Sequence, residues 1–310
     1  MAEIVLVHGI GQEQVSADSL EAKWLPALAG GLRLARHPAI ADSIWREARH
    51  GVVGTRMAYY GDLFRESGAQ GSDLDLGEGE QFALAEDVVA EWLEHAAARS
   101  ESAEDRLEAH LELERLRGER GARQGARATL RPALQVLARQ RWFATHGMAF
   151  AERFIVRSLR QTTRYLTEDD LRTEAKARVR AQISESTKAV LSHSLGSVVA
   201  FEALQDLDQQ LPLFLTMGSP LGLDTIVYSR LRPYPPSFPT QVQRWVNVAD
   251  RDDLVAADLD LSTRFGPTIG TKIESCIVDN GSKPHDATHY LVKASVGAPV
   301  GETLAAHGIG

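Results

Sequence analysis

Runs of apolar residues switch between two periods along this chain, and the switches mark its elements. Ile4-Val5-Leu6-Val7 is an unbroken apolar run, which predicts a strand buried on both faces of a parallel sheet. Residues 16–36 and 39–49 follow with helical spacing, placing Trp24, Leu25, Leu28 and Leu32 on one face. Strand character returns from Val52 to Tyr60. Over 61–167 it vanishes, and three stripes recur at a helical period: Val88, Val89, Trp92, Leu93 and Ala96; Leu107 and Leu111; Phe150, Phe154, Leu159 and Leu166. Gly118 to Gly125 splits this stretch into two halves. Thr167, with Asp170 three positions on, predicts the N-cap of a helix through Ile183, with Leu171, Ala175, Val179 and Ile183 facing inward. Ala189-Val190-Leu191 reads as the next strand, and it passes through Ser192-His193-Ser194-Leu195-Gly196-Ser197 into an apolar helix that starts at Val198 and continues past Leu204 and Leu207. Strands at Leu213–Met217, Val242–Ala249 and Ile273–Val278 complete the pattern. Alternating strands and helices with short joints predict an α/β fold with a mostly parallel sheet and right-handed crossovers. One core, 1–60 with 168–310, is interrupted by a helical insertion, 61–167.

Composition narrows the class. At 310 residues, 44% hydrophobic and 25% charged, the chain has enough apolar material for a full core and none of the bias of disordered or fibrous chains. Its net charge of −8 opposes general affinity for nucleic acid, and no nucleic-acid partner is expected. A single cysteine, Cys276, excludes internal disulfides and a cysteine-built zinc site, and its apolar surroundings predict a small core residue. The opening apolar run is too short for a signal sequence and is preceded by Glu3, and no run reaches the roughly 18 residues of a membrane helix. A cytoplasmic location is the expectation.

The chemistry concentrates where strands end. A strand that runs into a helix through a tight turn forces the central residue, Ser194, onto a strained corner with its side chain clear of the sheet. The positions two away, Ser192 and Gly196, must then be small. A serine hydroxyl at neutral pH needs an imidazole to take its proton and a carboxylate to orient that imidazole. The chain offers two candidate histidines in the turn after its last strand, His285 and His289, and three candidate aspartates directly after the preceding one, Asp250, Asp252 and Asp253. The first strand ends in His8-Gly9-Ile10-Gly11; a dinucleotide fingerprint would need a third glycine where Gln14 stands, whereas a glycine-flanked loop leaves its amides free to face an anion. His285-Asp286-Ala287-Thr288-His289 has the spacing of a zinc pair, but an aspartate replaces the glutamate base and no third ligand is evident, so no metal is expected.

Together these segments resemble the α/β-hydrolase superfamily, and within it lipase- or esterase-like serine hydrolases. Ser192-His193-Ser194-Leu195-Gly196 is similar to the G-x-S-x-G nucleophile elbow, with Ser192 in place of the first glycine; His8–Gly11 is similar to the oxyanion loop; Gly218-Ser219-Pro220-Leu221-Gly222 is similar to the loop after the next strand. The order along the chain, oxyanion loop, serine, acid, histidine, is that of the superfamily. The resemblance covers roughly 3–60 and 185–295, and the insertion carries no motif of it. It implies a sheet of the hydrolase type, minimal and without the family's first antiparallel hairpin, carrying an inserted helical cap or lid. It implies a triad of Ser194, His285 and Asp253, with Asp250 the second-choice acid. The amides of Ile10 and Leu195 would be oxyanion donors, supported by His8, Gly9, Gly11, Ser192 and Gly196. Cleavage of small-molecule or lipid carboxylic esters through an acyl-enzyme, with no cofactor, is the implied activity. A thioesterase or amidase uses the same triad, and a non-catalytic binding or signalling module with this fold is the other alternative. Pro233–Pro239 is expected at the pocket mouth. The arginine-rich stretch from Arg127 to Arg164, interleaved with Trp142, Phe143, Phe150 and Phe154, fits a lid whose apolar stripe faces the site, or a peripheral contact with anionic lipid. The pattern leaves the oligomeric state open.

Overall fold

In the computed structural model, β1 (Ile4–Val7) lies between β2 (Thr55–Ala58) and β3 (Ala189–His193). Beyond β3 come β4 (Leu211–Met217), β5 (Val242–Asp250) and β6 (Lys272–Val278), and all neighbours in this six-stranded sheet run parallel. The structure describes residues 2–46, 49–50, 53–65, 76–119, 126–140, 148–224, 226–256, 258–265 and 272–309. Among the expectations above, those for Trp142 and Phe143, the Phe150 side chain, and the part of the glycine break from position 120 to 125 lie outside the described residues.

Register gives the two faces of the sheet their cores. Leu6, Leu191, Leu215 and Val246 pair straight across four strands, as do Val5, Val190, Phe214 and Trp245, and side chains alternate between faces along each strand. The Leu6 row meets α1 (Ala17–Leu34), α2 (Pro38–Ile44) and the last helix of the chain, through Leu28, Leu32, Ile40, Val296 and Val300. The Trp245 row meets the insertion and the helices after it. These are α3 (Glu80–Arg99), α4 (Ala103–Glu119), α5 (Ala126–Arg139), α6 (Met148–Thr167), α7 (Asp169–Arg180) and α8 (Leu195–Leu204). Short α9 (Ser262–Phe265), α10 (Ala287–Leu291) and long α11 (Ala294–Ala306) follow. The insertion shares one continuous apolar cluster with Val5, Val7, Val198 and Phe201, so its helices are part of the core on that face.

Four expectations need correction. The second helix stops at Ile44, because Trp45 takes an extended conformation (φ −144°, ψ 116°) and pairs with His50 in a two-stranded antiparallel hairpin, as suits an aromatic residue. Thr167 ends α6 and caps nothing: its hydroxyl donates back to Thr163 O at 2.8 Å, Glu168 takes the cap position, and α7 closes at Arg180 rather than Ile183. Leu107 and Leu111 stand 58% and 61% exposed, whereas Ala109, Leu113 and Leu116 are buried; those three, at i, i+4 and i+7, lie nearly opposite on the helix. The proline-rich excursion is fastened to the far end of α8, where Arg232 N–H donates to Glu202 and Gln205 donates to Ser237 O. Eight residues of helix put Glu202 about 12 Å from Ser194, which removes the excursion from the serine end.

Candidate active site

The turn between β3 and α8 has the geometry the sequence demands. Ser194 sits at φ 55°, ψ −135°, a region that non-glycine residues occupy only when surrounding structure enforces it. Enforcement comes from both sides: Ser194 N–H donates to Met217 O at 3.1 Å, and Ser194 O accepts from Ser197 N at 2.9 Å and from its hydroxyl at 2.7 Å. A side chain at Gly196 would collide with the carbonyl oxygens of Val7 and His8, so the elbow helix rides directly on β1. Ser192 is fully buried and donates to Leu215 O at 3.2 Å, which accommodates a hydroxymethyl group where a glycine would otherwise stand.

The loops after β5 and β6 meet at this serine. His285 Nε2 lies 2.9 Å from Ser194 Oγ and Nδ1 lies 2.7 Å from Asp253 Oδ2. Asp253 is fully buried, and its other oxygen accepts from the amides of Val255 at 3.0 Å and Ala256 at 3.4 Å. Burial by itself would raise this carboxyl; the His285 ring and the Tyr290 hydroxyl outweigh it and hold Asp253 below the usual carboxylate range. Gly218 has φ 53°, and a side chain there would stand 2.6 Å from Asp253 Oδ2 and 3.1 Å from His285 Nδ1. Only a glycine lets this loop back onto the pair.

The competing residues have other tasks. Asp250 accepts from Asp252 N at 2.8 Å and Asn280 N at 2.5 Å, tying together the loops that carry Asp253 and His285; burial pushes its carboxyl up. His289 Nδ1 meets Asn280 O at 3.0 Å, and Asp286 caps α10 by accepting from Thr288 N at 2.8 Å. The zinc-like spacing is therefore divided among three separate partners. Among the described residues no cluster of three or more His, Cys, Asp or Glu side chains is placed to hold a metal ion, and no helix is long and apolar enough to cross a membrane. Cys276 is half-buried, its thiol pushed up by burial.

The loop after β1 is held from three directions. His8 stacks on Tyr60 with ring centroids 4.2 Å apart, Tyr60 OH donates to His8 O at 2.5 Å, and His8 Nε2 accepts from Tyr60 N at 3.1 Å. The proton is thereby fixed on Nδ1, which donates to Gly9 O at 2.7 Å. Burial lowers the His8 pKa to about 4, so the ring is neutral at pH 7 and fixes the loop. A side chain at Gly9 would lie 2.6 Å from Ser194 Cβ and 3.2 Å from its Oγ, which measures how closely the loop passes the serine. Gln12 Nε2 donates to Ile10 O at 3.0 Å, and Gly11 N–H, at φ 74°, donates to Gln161 Oε1 at 2.9 Å. Leu195 opens α8, where helical geometry supplies an amide with no acceptor. Among the described residues neither Ile10 N–H nor Leu195 N–H is hydrogen-bonded to the protein.

Sequence reasoning missed several partners. Tyr290 OH donates to Asp253 Oδ2 at 2.8 Å and accepts from Asp250 N at 2.9 Å; its place five residues after His285 was visible, its bond was not. His193 packs its ring 4.6 Å from that of His285, and its Nε2 donates to His285 O at 2.9 Å. Burial and the neighbouring His285 lower its pKa to about 3. Arg99, from the insertion, donates to Ala256 O at 3.1 Å and lines, with Gln140, Asp252 and Leu254, a cleft of about 130 Å³ beside the acid loop. Nothing in the local pattern around Arg99 or Gln161 separates them from ordinary surface residues.

Comparison of the chain with protein-family models, with curated proteins and with solved structures found no match.

Proposed function

We propose that the chain is a serine hydrolase of carboxylic esters, built on a sheet of the α/β-hydrolase type. The observation that carries this is the unbroken chain Ser194 Oγ, His285 Nε2, His285 Nδ1, Asp253 Oδ2, with links of 2.9 and 2.7 Å, hung on a serine in a strained left-handed turn.

In the proposed reaction Ser194 Oγ attacks the acyl carbonyl while its proton passes to His285 Nε2. Buried Asp253 holds the ring with its other proton on Nδ1 and balances the imidazolium. The carbonyl oxygen, now negative, takes up the amides of Ile10 and Leu195; removal of one such donor typically costs about 10²–10³ in rate. Collapse expels the alcohol, which leaves with the proton from His285 Nε2. Water, deprotonated by the same nitrogen, then attacks the acyl-serine, and the carboxylic acid departs with Ser194 restored. His193 and Tyr290 touch no reacting atom; they fix the His285 backbone and the Asp253 carboxylate. A panel of p-nitrophenyl esters of graded chain length, beside acyl-CoA and anilide substrates, tests the assignment. Ester turnover that disappears in Ser194→Ala is expected; a protein inert toward the panel, or equally active without the hydroxyl, contradicts it.

A further inference from the structure

The insertion has the composition of a lid, yet its last helix is fastened to both elements that carry the proposed oxyanion donors. On α6, Gln161 is 5% exposed; its Oε1 accepts from Gly11 N–H at 2.9 Å, and its Nε2 donates to Glu13 Oε2 at 3.0 Å. Arg157, one turn earlier, pairs with the same Glu13 at 3.3 Å. Tyr165, one turn later and fully buried, donates to Glu202 Oε2 at 2.8 Å. Glu202 belongs to α8, the helix that opens at Leu195, and it is completely buried, held also by Arg172 of α7 and by Arg232 N.

We infer that α6 is a fixed brace of the oxyanion hole, and that Gln161 and Tyr165 are positioning residues that set the separation between the Ile10 and Leu195 amides. This rests on the serine-hydrolase reading above. Three features argue for a brace against a lid that swings. Lifting α6 would strip a fully buried carboxylate of one of its hydrogen bonds, a costly step for a charged group in the core. It would release Gly11 N–H, whose peptide plane begins one residue beyond the Ile10 amide and fixes the turn of that loop. The attachments also lie along little more than two turns of one helix, about 12 Å from Arg157 to Tyr165, so the oxyanion loop and the elbow helix are referred to a single ruler. An amide displaced by a fraction of an ångström binds the ground-state carbonyl nearly as before and the developing oxyanion much less well. The brace therefore acts on turnover and leaves substrate affinity alone.

The test compares wild type with Gln161→Met, which keeps length and removes the acceptor, with Tyr165→Phe, and with the double variant Glu13→Gln/Gln161→Glu, which restores an acceptor for Gly11 with the amide and carboxylate exchanged. Steady-state kinetics on a short p-nitrophenyl ester, the rate of Ser194 phosphonylation by a fluorophosphonate, and the thermal midpoint are read for each. Gln161→Met is expected to lower kcat and the phosphonylation rate together by roughly 10- to 100-fold with KM unchanged. Tyr165→Phe should act in the same direction, and the double variant should recover most of the loss. Unchanged rates in Gln161→Met, a rise in KM at constant kcat, or losses that merely track the unfolded fraction overturn the brace while wild-type labelling at Ser194 keeps the hydrolase reading intact. Wild-type protein that no fluorophosphonate labels overturns both.

Discussion

His193 illustrates how a single side chain serves the site without entering the chemistry. It ends β3 directly before Ser194, is buried, and reaches the His285 backbone as a neutral donor. Its pKa of about 3, like the value of about 4 for His8, lies below the ordinary 6.5. In the pH range between, the unfolded chain binds protons that the folded chain refuses, so stability is fully present above pH 6.5 and falls as pH drops toward 3. Asp253, held below the ordinary 3.8 by the His285 ring and the Tyr290 hydroxyl against its burial, adds stability that is present above that value and is lost as pH falls below it. Urea unfolding at pH 7.5 and pH 5 should therefore show a less stable protein at the lower pH, and the difference should shrink in His193→Gln, which cannot titrate. Equal differences in both proteins would mean that the ring is not held neutral. Ser194 and the candidate set around it were legible in the sequence, because a tight strand-to-helix turn has strict size rules at fixed positions. The choice of Asp253 over Asp250, and of His285 over His289, rested on resemblance. Chain order alone could not make it: Asp250 ends β5 and His289 sits in α10, each within a few residues of its rival, and which pair meets depends on contacts such as Tyr290 to Asp253.

At the scale of elements, strands were read best. β1 and β3 are apolar runs buried on both faces, and β4 and β5 are nearly so, a pattern few alternatives satisfy. The edge strands β2 and β6 expose part of their length. Helix ends and helix faces were read less well. Thr167 and Asp170 imitate a capping pair, but the threonine bonds backward and Arg164 bridges the joint to Glu168 at 2.7 Å. On α4, leucines at 107 and 111 form one stripe and Ala109, Leu113 and Leu116 another; periodicity cannot choose between them, and contact with the rest of the core does. The choice has a measurable consequence. Leu113→Ala is expected to cost about 2–5 kcal/mol in chemical denaturation, and Leu111→Ala no more than about 0.5 kcal/mol. Reversed values would place the wrong face of α4 against the sheet.

For the whole molecule, the insertion changes meaning once its packing is known. In sequence it is a block without strands, easily imagined as an appendage. In the fold its apolar residues join those of the sheet and the elbow helix in one cluster. Arg99 reaches the loop after β5, Gln161 the loop after β1, and Tyr165 helix α8. Several of its arginines are paired within the molecule, Arg139 with Glu108, Arg117 with Glu94 and Arg164 with Glu168, which reduces the free positive charge a lipid surface would meet. A shared core predicts shared unfolding: calorimetry and far-ultraviolet circular dichroism should report one coincident transition. A separate early transition of helical signal, with the sheet intact, would show an insertion that folds by itself.

All of the proposed chemistry hangs on one hydroxyl that its neighbours would make nucleophilic. Incubation with a fluorophosphonate, proteolysis and mass spectrometry should find one phosphonyl adduct on the peptide containing Ser194, at stoichiometry near one per chain, and none in Ser194→Ala, while His285→Ala should slow labelling severely. Adducts elsewhere, or an unmodified Ser194 in folded wild-type protein, would contradict the account.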